Sequence, residues 1–267
     1  MGEDVAALID RDAASGALVS YTSRLCAILR TDPDRDSPAI GTWTLGDVAN
    51  HVAWGIENYT RWLQGADAPD LDAVENMARW NIETVRALPP ADLSSLADRI
   101  EVATDEFSRS AENVPASSEV RWYAGNRIPV EVAITMRLGE AAVHGLDIAA
   151  AAKHEWVIDP DAARAISYGL GYIAPYLVSA EKLDFNGTIR VRIRRGSDLY
   201  YIIEDRHLHV RTEGPGPGWN LSVAPVGWVL VTTGRRNQWM AAGTGKIVGW
   251  GTRPSLPFRL RAASFQG

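Results

Sequence analysis

The spacing of apolar residues along the chain changes about halfway. Up to about residue 152, apolar residues recur every three or four positions, in segments separated by turn formers such as TDPDRDSP and the Pro89-Pro90 pair. A recurrence of three to four residues predicts amphipathic helices. Several long helices joined by loops favour a helical bundle.

Two of these helices carry recognisable start signals. In TWTLGDVANHVAWGIENYTRWLQG, Thr44 is predicted as the N-cap, Asp47 lies three positions later, close to a capping box, and Gly65 marks the C-terminal end. Pro129 is predicted in the first turn of the last long helix, VEVAITMRLGEAAVHGLDIAAAA, where proline is tolerated. A further helix is expected over residues 71–88.

Beyond one more helix, which starts at Asp159-Pro160, the period becomes two. GTIRVRIRR alternates apolar residues with arginines, which predicts a half-buried strand with one wet face. DLYYIIED and RHLHVRT repeat the alternation and are joined by short turns, as in an antiparallel meander. The predicted fold class is therefore α+β. A helical bundle covers residues 1–155, and a small α+β domain with an antiparallel sheet covers residues 156–267.

Composition and charge narrow the classes of partner. The chain has 267 residues and a formal net charge of -6, which argues against nucleic acid or an anionic membrane as the main partner. A lone cysteine, Cys26, excludes an internal disulfide framework and fits a reducing compartment. The acidic start MGEDVAALID lacks the pattern of a signal peptide. We expect a cytoplasmic protein that binds neither nucleic acid nor membrane.

The stretch GEAAVHGLD places a carboxylate and an imidazole one helical turn apart. Glu140 and His144 project from one face of the predicted helix, close enough to share a metal ion. His51 lies in another predicted helix, among apolar neighbours that direct it towards the bundle interior. Two histidines and a glutamate make a plausible catalytic zinc set with open positions. From spacing alone, however, a surface Glu/His pair is the more frequent outcome.

Three separated segments carry a resemblance to a known family. WTLGDVANHVA is similar to the "GWTVRDLVAHLA" pattern of the DinB-like, mycothiol-dependent maleylpyruvate isomerase family, and MRLGEAAVHGLDIAAA resembles its "R-x-x-E-x-x-V-H-x-x-D" helix. Near the end, VLVTTGRR and RPSLPF resemble "WLTGR" and "PxLPxW". The order of elements agrees as well, with a metal-binding bundle followed by a sterol-carrier-like α+β domain, so the resemblance spans nearly the whole chain.

The resemblance implies a set of site residues. His51, Glu140 and His144 match the family's ligands for a divalent metal, usually zinc, and Arg235 matches the catalytic arginine of the "WLTGR" segment. The tryptophan of that segment is absent here, so the neighbouring Arg236 stays an alternative for the role. No residues are assigned to binding of the thiol cofactor.

The implied function is that of a metal-dependent enzyme. It would activate mycothiol as a thiolate, which adds to a small electrophilic substrate, such as one bearing a carboxylate, as in maleylpyruvate-type cis–trans isomerisation. Zinc lowers the pKa of a bound thiol, and Arg235 would hold a carboxylate or a developing negative charge. Two alternatives stay open: a mycothiol S-transferase, which conjugates or exchanges the thiol, and a non-catalytic thiol- or metal-binding protein.

Other residues receive less specific interpretations. His207 and His209 share a strand face, but the pattern favours a solvated surface over a metal pair. Cys26 lies in an apolar helix stripe, which indicates core packing. Asp147 is left open between a partner of His144 and an exposed helical residue. Arg137 lies one turn before Glu140 and has a counterpart in the family's motif, which leaves a functional role open, but a structural ion pair is expected.

Overall fold

The computed structural model describes residues 3–69, 71, 76–116 and 118–264. These residues form two compact units, one of Arg11–Ile158 and one of the described residues of Met1–Asp10 and Asp159–Gly267. Residues 3–10, which the sequence assigned to the bundle, therefore belong to the second unit. The domain boundary after residue 155 stays a prediction. Within the described ranges, no helix combines the length and apolarity that crossing a membrane requires.

The first unit is mostly helical. The short helix α1 (Glu3–Ala6) precedes it in the chain and belongs to the second unit. The described residues of the first unit form five helices and two small antiparallel hairpins: α2 (Arg11–Leu29), β1 (Pro38–Ile40), β2 (Trp43–Thr44), α3 (Leu45–Leu63), α4 (Met77–Ala87), α5 (Leu93–Glu112), β3 (Glu119–Arg121), β4 (Arg127–Pro129) and α6 (Val130–Ala151).

Local signals determine where α3 and α6 begin. Thr44 accepts a hydrogen bond from the backbone N–H of Asp47 at 3.2 Å, and the Asp47 carboxylate accepts one from the backbone N–H of Thr44 at 3.0 Å, so the capping box is confirmed. Pro129 is the N-cap residue of α6 and the last residue of β4, so it lies just before the first turn in which it was predicted. The helix predicted over residues 71–88 is observed from Met77 to Ala87, and residues 72–75 lie outside the described part of the chain.

The core of the first unit lies between α2, α3, α5 and α6, which pack against one another. Both α3 and α6 are buried over most of their length. Leu45 and Ile56 on α3 and Ile134 and Leu138 on α6 are almost completely shielded from solvent. Burial of each such side chain contributes about 1.5–3 kcal/mol to the free energy of folding. This packing holds α3 and α6 in place around the polar residues between them.

The second unit is an α+β arrangement built on a five-stranded sheet. Its further elements are α7 (Pro160–Ile173), β5 (Gly187–Ile193), β6 (Asp198–Glu204), β7 (His207–Arg211), β8 (Trp219–Val223), α8 (Pro225–Thr232), α9 (Gln238–Gly243), β9 (Ile247–Gly251) and α10 (Leu256–Ala263), with two 3₁₀ turns after α7. The strand order is β7-β6-β5-β8-β9. The predicted meander β5-β6-β7 is confirmed, but β8 runs parallel to β5, so the sheet is mixed.

The alternation in β5 is confirmed by burial. Ile189, Val191 and Ile193 are buried, whereas Arg192 on the opposite face is exposed. Gly171 of α7 lies against the side chain of Leu199 in β6, so α7 packs on the apolar face of the sheet. The arginine-bearing face is accordingly the one that is open to solvent.

Candidate metal centre

Three predicted ligands converge in the first unit. Nε2 of His51, on α3, and Nε2 of His144, on α6, each lie 3.1 Å from the same carboxylate oxygen, Oε2 of Glu140. One ligand atom from each residue lies within 4.8 Å of the others. Both histidines are buried and Glu140 is half-buried. The spacing of Glu140 and His144 along α6 brings both to the helix face that meets α3.

Asp147 orients one of the two imidazoles. Its Oδ2 lies 3.0 Å from Nδ1 of His144, and the Asp147 side chain is buried. An ionised carboxylate only accepts hydrogen bonds, so Nδ1 of His144 carries the donated proton. The alternative that the sequence left open is thereby decided, because Asp147 is a partner of His144 and not an exposed residue. Metal-binding histidines characteristically donate their second N–H to such a carboxylate.

The protonation states favour a cation at this point. Burial would raise the pKa of Glu140, but hydrogen bonds with His144 and His51 and the charge of Arg137 outweigh it and hold that pKa well below its usual value. Burial lowers the pKa of His51, which favours its neutral form. Nδ1 of His144 faces Asp147, so its Nε2 is the ring atom directed at the Glu140 carboxylate. At 3.1 Å, this nitrogen and the carboxylate oxygen share either a proton or a metal ion.

The donor set fits zinc. Zinc binds histidine nitrogen and carboxylate oxygen, and catalytic sites use three protein ligands with a further position for water or substrate. The two histidines differ in the hydrogen bonding of their Nδ1 atoms. Within the described ranges, Nδ1 of His51 is buried without a hydrogen-bond partner, whereas His144 is held by Asp147. His51 is positioned instead by packing between aromatic rings.

Two tryptophans form aromatic walls beside the triad. The ring of Trp43 lies 5.0 Å from His51 and stacks on His144 at 6.4 Å, and the ring of Trp54 lies 6.1 Å from His51. Apolar walls limit access of water and strengthen electrostatic interactions inside the site. Neither tryptophan was predicted from the sequence as a residue of this site. The available signal was Trp54 one turn after His51 on α3, and Trp43 immediately before the N-cap.

Arg137 does not form the predicted ion pair. Its side chain is buried, and its Cζ lies 3.8 Å from the centroid of the Tyr59 ring. Among the residues that the structure describes, Arg137 has no carboxylate within 4.0 Å. The prediction is wrong because Glu140, the nearest acid on the helix, directs its carboxylate to the two histidines while the guanidinium stacks on Tyr59.

Arg235 lies in the second unit, in the turn that follows α8. It is half-buried, and its Nη1 donates a hydrogen bond of 2.7 Å to the carbonyl of Thr233. The neighbouring Arg236 is exposed, and its backbone N–H bonds to the carbonyl of Leu230. The catalytic role of Arg235 stays a prediction.

The less specific candidates behave as the sequence indicated. His207 is exposed and His209 half-buried on β7, and neither belongs to a three-ligand group among the described residues. Cys26 is fully buried, its thiol lies 3.3 Å from the carbonyl of Ala97, and burial raises its pKa to about 12. A thiol in that environment is a core residue and no nucleophile.

The fold and the site together define a helical bundle with a His/Glu/His ligand set, joined to an α+β unit. The sequence profile of the mycothiol maleylpyruvate isomerase N-terminal domain family matches residues 16–149, about half of the chain. The chain therefore belongs to this family. A search of curated protein sequences found no match.

Two solved structures are similar over most of their length. A variant of the mycothiol-dependent maleylpyruvate isomerase in which alanine replaces one histidine aligns with a TM-score of 0.55 and 14% identity, covering 90% of this chain and 93% of the other. The crystal structure of the mycothiol-dependent maleylpyruvate isomerase aligns with a TM-score of 0.52 and 17% identity, covering 85% of this chain and 90% of the other. At these identities the similarity establishes the fold.

Proposed function

We propose that this protein is a metal-dependent enzyme that uses mycothiol as a thiolate nucleophile against a small electrophilic substrate. The proposed metal ligands are His51, Glu140 and His144, and the proposed metal is zinc. Family membership supports the choice of thiol and the enzymatic role. Cis–trans isomerisation of a maleylpyruvate-like compound is the proposed reaction, since the enzyme of similar structure is a maleylpyruvate isomerase.

One observation supports the proposal most strongly. Two buried imidazoles from two different helices meet one carboxylate oxygen at 3.1 Å, and one of them is oriented by a further buried carboxylate. Buried polar clusters of this kind cost folding energy unless a partner satisfies them. A divalent cation bound by the two Nε2 atoms and the carboxylate oxygen would be such a partner for all three groups.

Residues of this chain have different roles in the proposed reaction. Asp147 fixes the tautomer of His144, and the rings of Trp43 and Trp54 exclude water from the site. A bound zinc ion would lower the pKa of a thiol in its open position, so that the thiolate is present near neutral pH. Arg235 would stabilise negative charge that develops on the substrate during thiol addition. The buried Cys26 takes no part, which fits the use of an external thiol.

Cobalt substitution tests the activation of the thiol. Cobalt(II)-loaded protein titrated with mycothiol is expected to develop a thiolate-to-cobalt absorption band, and the His144→Ala variant is expected to lack it. Cysteine serves as a comparison thiol, because a band that forms equally with both would support metal binding without selectivity for mycothiol. A cobalt-loaded wild type that shows no band with any thiol would contradict the proposal.

Product analysis then separates isomerisation from thiol transfer. Maleylpyruvate incubated with the zinc-loaded protein and mycothiol is expected to give the trans isomer with mycothiol regenerated. A stable thioether between mycothiol and the substrate would instead establish the S-transferase alternative. Catalytic amounts of mycothiol suffice in the first case, and stoichiometric amounts are consumed in the second.

A further inference from the structure

Arg137 is a buried cation whose surroundings leave part of its hydrogen-bonding capacity unused. The residue is 6% exposed, and its Nε is shielded from solvent with no hydrogen-bond partner among the described residues. Its guanidinium lies over the ring of Tyr59, with Cζ 3.8 Å from the ring centroid. The aromatic face and a hydrogen bond with the Tyr59 side chain offset some of the cost of burying the charge, but neither supplies an acceptor for Nε.

The chain makes room for this guanidinium. Gly55 lies on α3 beside it, and a Cβ added there would come within 2.6 Å of Nη1 of Arg137. His51, Gly55 and Tyr59 follow one another at four-residue intervals, so they share a face of α3. A glycine in the interior of a helix costs about 1 kcal/mol relative to alanine. Its presence at this position keeps the space that Arg137 occupies.

Arg137 and the candidate metal triad lie on the same interface between α3 and α6. His51 on α3 contacts Glu140 on α6. Tyr59, eight residues after His51 on α3, contacts Arg137, which lies three residues before Glu140 on α6. Three residues of helix correspond to a rise of about 4.5 Å. The guanidinium is thus placed about one turn from the triad, a separation that a small molecule can span.

Charge at this interface favours an anion. Glu140 and Asp147 carry the negative charges of the site, and both are occupied by the imidazoles. A divalent cation held by the triad would neutralise both carboxylates and leave the charge of Arg137 unmatched. A buried charge without a counter-charge is strongly unfavourable, so a ligand that brings a carboxylate would be bound preferentially.

We propose that Arg137 binds a carboxylate of the electrophilic substrate, one helical turn from the metal, and so selects anionic over neutral substrates. The inference rests on the proposed function, since it takes the triad as the metal site. It differs from that proposal by placing a substrate-binding residue on α6 itself. A carboxylate also supplies the acceptor that Nε of Arg137 lacks, in the forked geometry that arginine favours.

The test measures binding of maleate and of its uncharged dimethyl ester to the zinc-loaded full chain without thiol. Quenching of tryptophan fluorescence reports binding, because Trp43 and Trp54 flank His51. Arg137→Gln is expected to weaken maleate binding about 10- to 100-fold, to leave the ester unaffected, and to retain zinc. Arg137→Lys is expected to recover part of the loss, since it keeps the charge and loses the fork.

Two further variants keep the test decisive. Gly55→Ala retains the arginine but displaces its guanidinium, so it too is expected to weaken maleate selectively even if Arg137→Gln fails to fold. Arg99→Gln is the matched control, because Arg99 is a partly buried arginine of α5 that pairs with Glu57 on α3. It is expected to leave the preference for maleate over the ester unchanged.

The outcomes separate the two proposals. Loss of binding to maleate and ester alike in the Arg137 variants, or a wild type that does not prefer maleate, would overturn the carboxylate role and leave Arg137 as a packing residue. Wild-type protein that retains no zinc would overturn the metal site instead. Selective weakening by Arg137→Gln or Gly55→Ala with zinc content intact is the result that supports the inference.

Discussion

Each unit of the molecule contains two histidines whose rings lie close together. The ring centroids of His51 and His144 are 5.1 Å apart, and those of His207 and His209 are 6.4 Å apart. By distance alone the two pairs are comparable. The first pair is buried between two helices, whereas the second lies on the strand face that is open to solvent.

The two histidine pairs also differ in how close the neighbouring carboxylate lies. Glu140 reaches both buried histidines at 3.1 Å, whereas Glu204 approaches only His209, at 3.9 Å. An exposed histidine exchanges contacts with water at little cost, and an exposed ion pair contributes little. A buried histidine has lost its contacts with water, so its hydrogen bonds can come only from neighbouring groups. Enclosure and a shared acceptor therefore distinguish a candidate metal site from a surface pair, and proximity does not.

The largest effect is expected for Arg235, the residue of the second unit that is predicted to serve catalysis. If that unit supplies an arginine and not its histidines, Arg235→Ala should lower kcat about 10²- to 10³-fold by removing stabilisation of developing negative charge. Zinc content should not change. The measurement is turnover of maleylpyruvate with mycothiol, and Arg236→Ala is the control, with kcat expected to stay near that of the wild type. A larger loss in the control would move the role to Arg236.

A smaller effect is expected at the residue that orients His144. Asp147→Asn removes the carboxylate charge while keeping the size of the side chain, and should weaken zinc binding about 10- to 100-fold. Competition with a chromophoric chelator measures the affinity. Glu204→Gln, beside the exposed pair, is the matched control and should leave zinc affinity as it is. Equal affinities in Asp147→Asn and the wild type would contradict the orienting role.

The stability of the metal-free protein should depend on pH because His51 is buried in the folded state. Burial lowers the pKa of His51 in the folded state, whereas the unfolded chain takes up its proton near pH ~6.5. Stability from this residue is thus present above about pH 6.5 and is lost as the pH falls below it, by up to about 1.4 kcal/mol per pH unit.

Urea denaturation at about pH 7.5 and about pH 5.5 measures this dependence. His51→Gln should reduce the difference between the two values, and His209→Gln on the open strand face should leave it unchanged. A metal-free wild type that becomes more stable on acidification through this range would contradict the assignment of His51 as a buried neutral residue.

The smallest effect concerns the lone thiol. Burial raises the pKa of Cys26 to about 12, so the thiolate form is scarce near neutral pH. Native protein should react with iodoacetamide far more slowly than urea-unfolded protein, and Cys26→Ala should retain turnover. Mass spectrometry of the alkylated protein measures the rate. Rapid modification of the folded chain would show that Cys26 is accessible and that the use of an external thiol needs another explanation.

Features encoded by neighbouring residues could be predicted from the sequence. The capping box of Thr44 and Asp47 and the alternation along β5 depend on spacings of two or three residues. The resemblance to known motifs singled out His51, Glu140 and His144. Spacing alone favoured an ordinary surface pair for Glu140 and His144 and a core histidine for His51. The convergence of the three side chains depends on the packing of α3 on α6, which no local pattern describes.

Features that depend on distant contacts were missed or predicted wrongly. The parallel pairing of β8 with β5 and the packing of residues 3–10 in the second unit join segments far apart in the chain. Arg137 was expected to pair with an acid because Glu140 is its helical neighbour. The structure directs Glu140 to two histidines, one of them 89 positions away in the chain.

Metal content is the most direct test of the central claim that enclosure makes the first histidine pair a metal site. Zinc is measured by elemental analysis after reconstitution and desalting, in the wild type, in His144→Ala and in a His207→Ala/His209→Ala double variant. We expect about one equivalent in the wild type and in the double variant, and none in folded His144→Ala. Zinc that is retained in His144→Ala but lost in the double variant, or a wild type that binds none, would contradict the account.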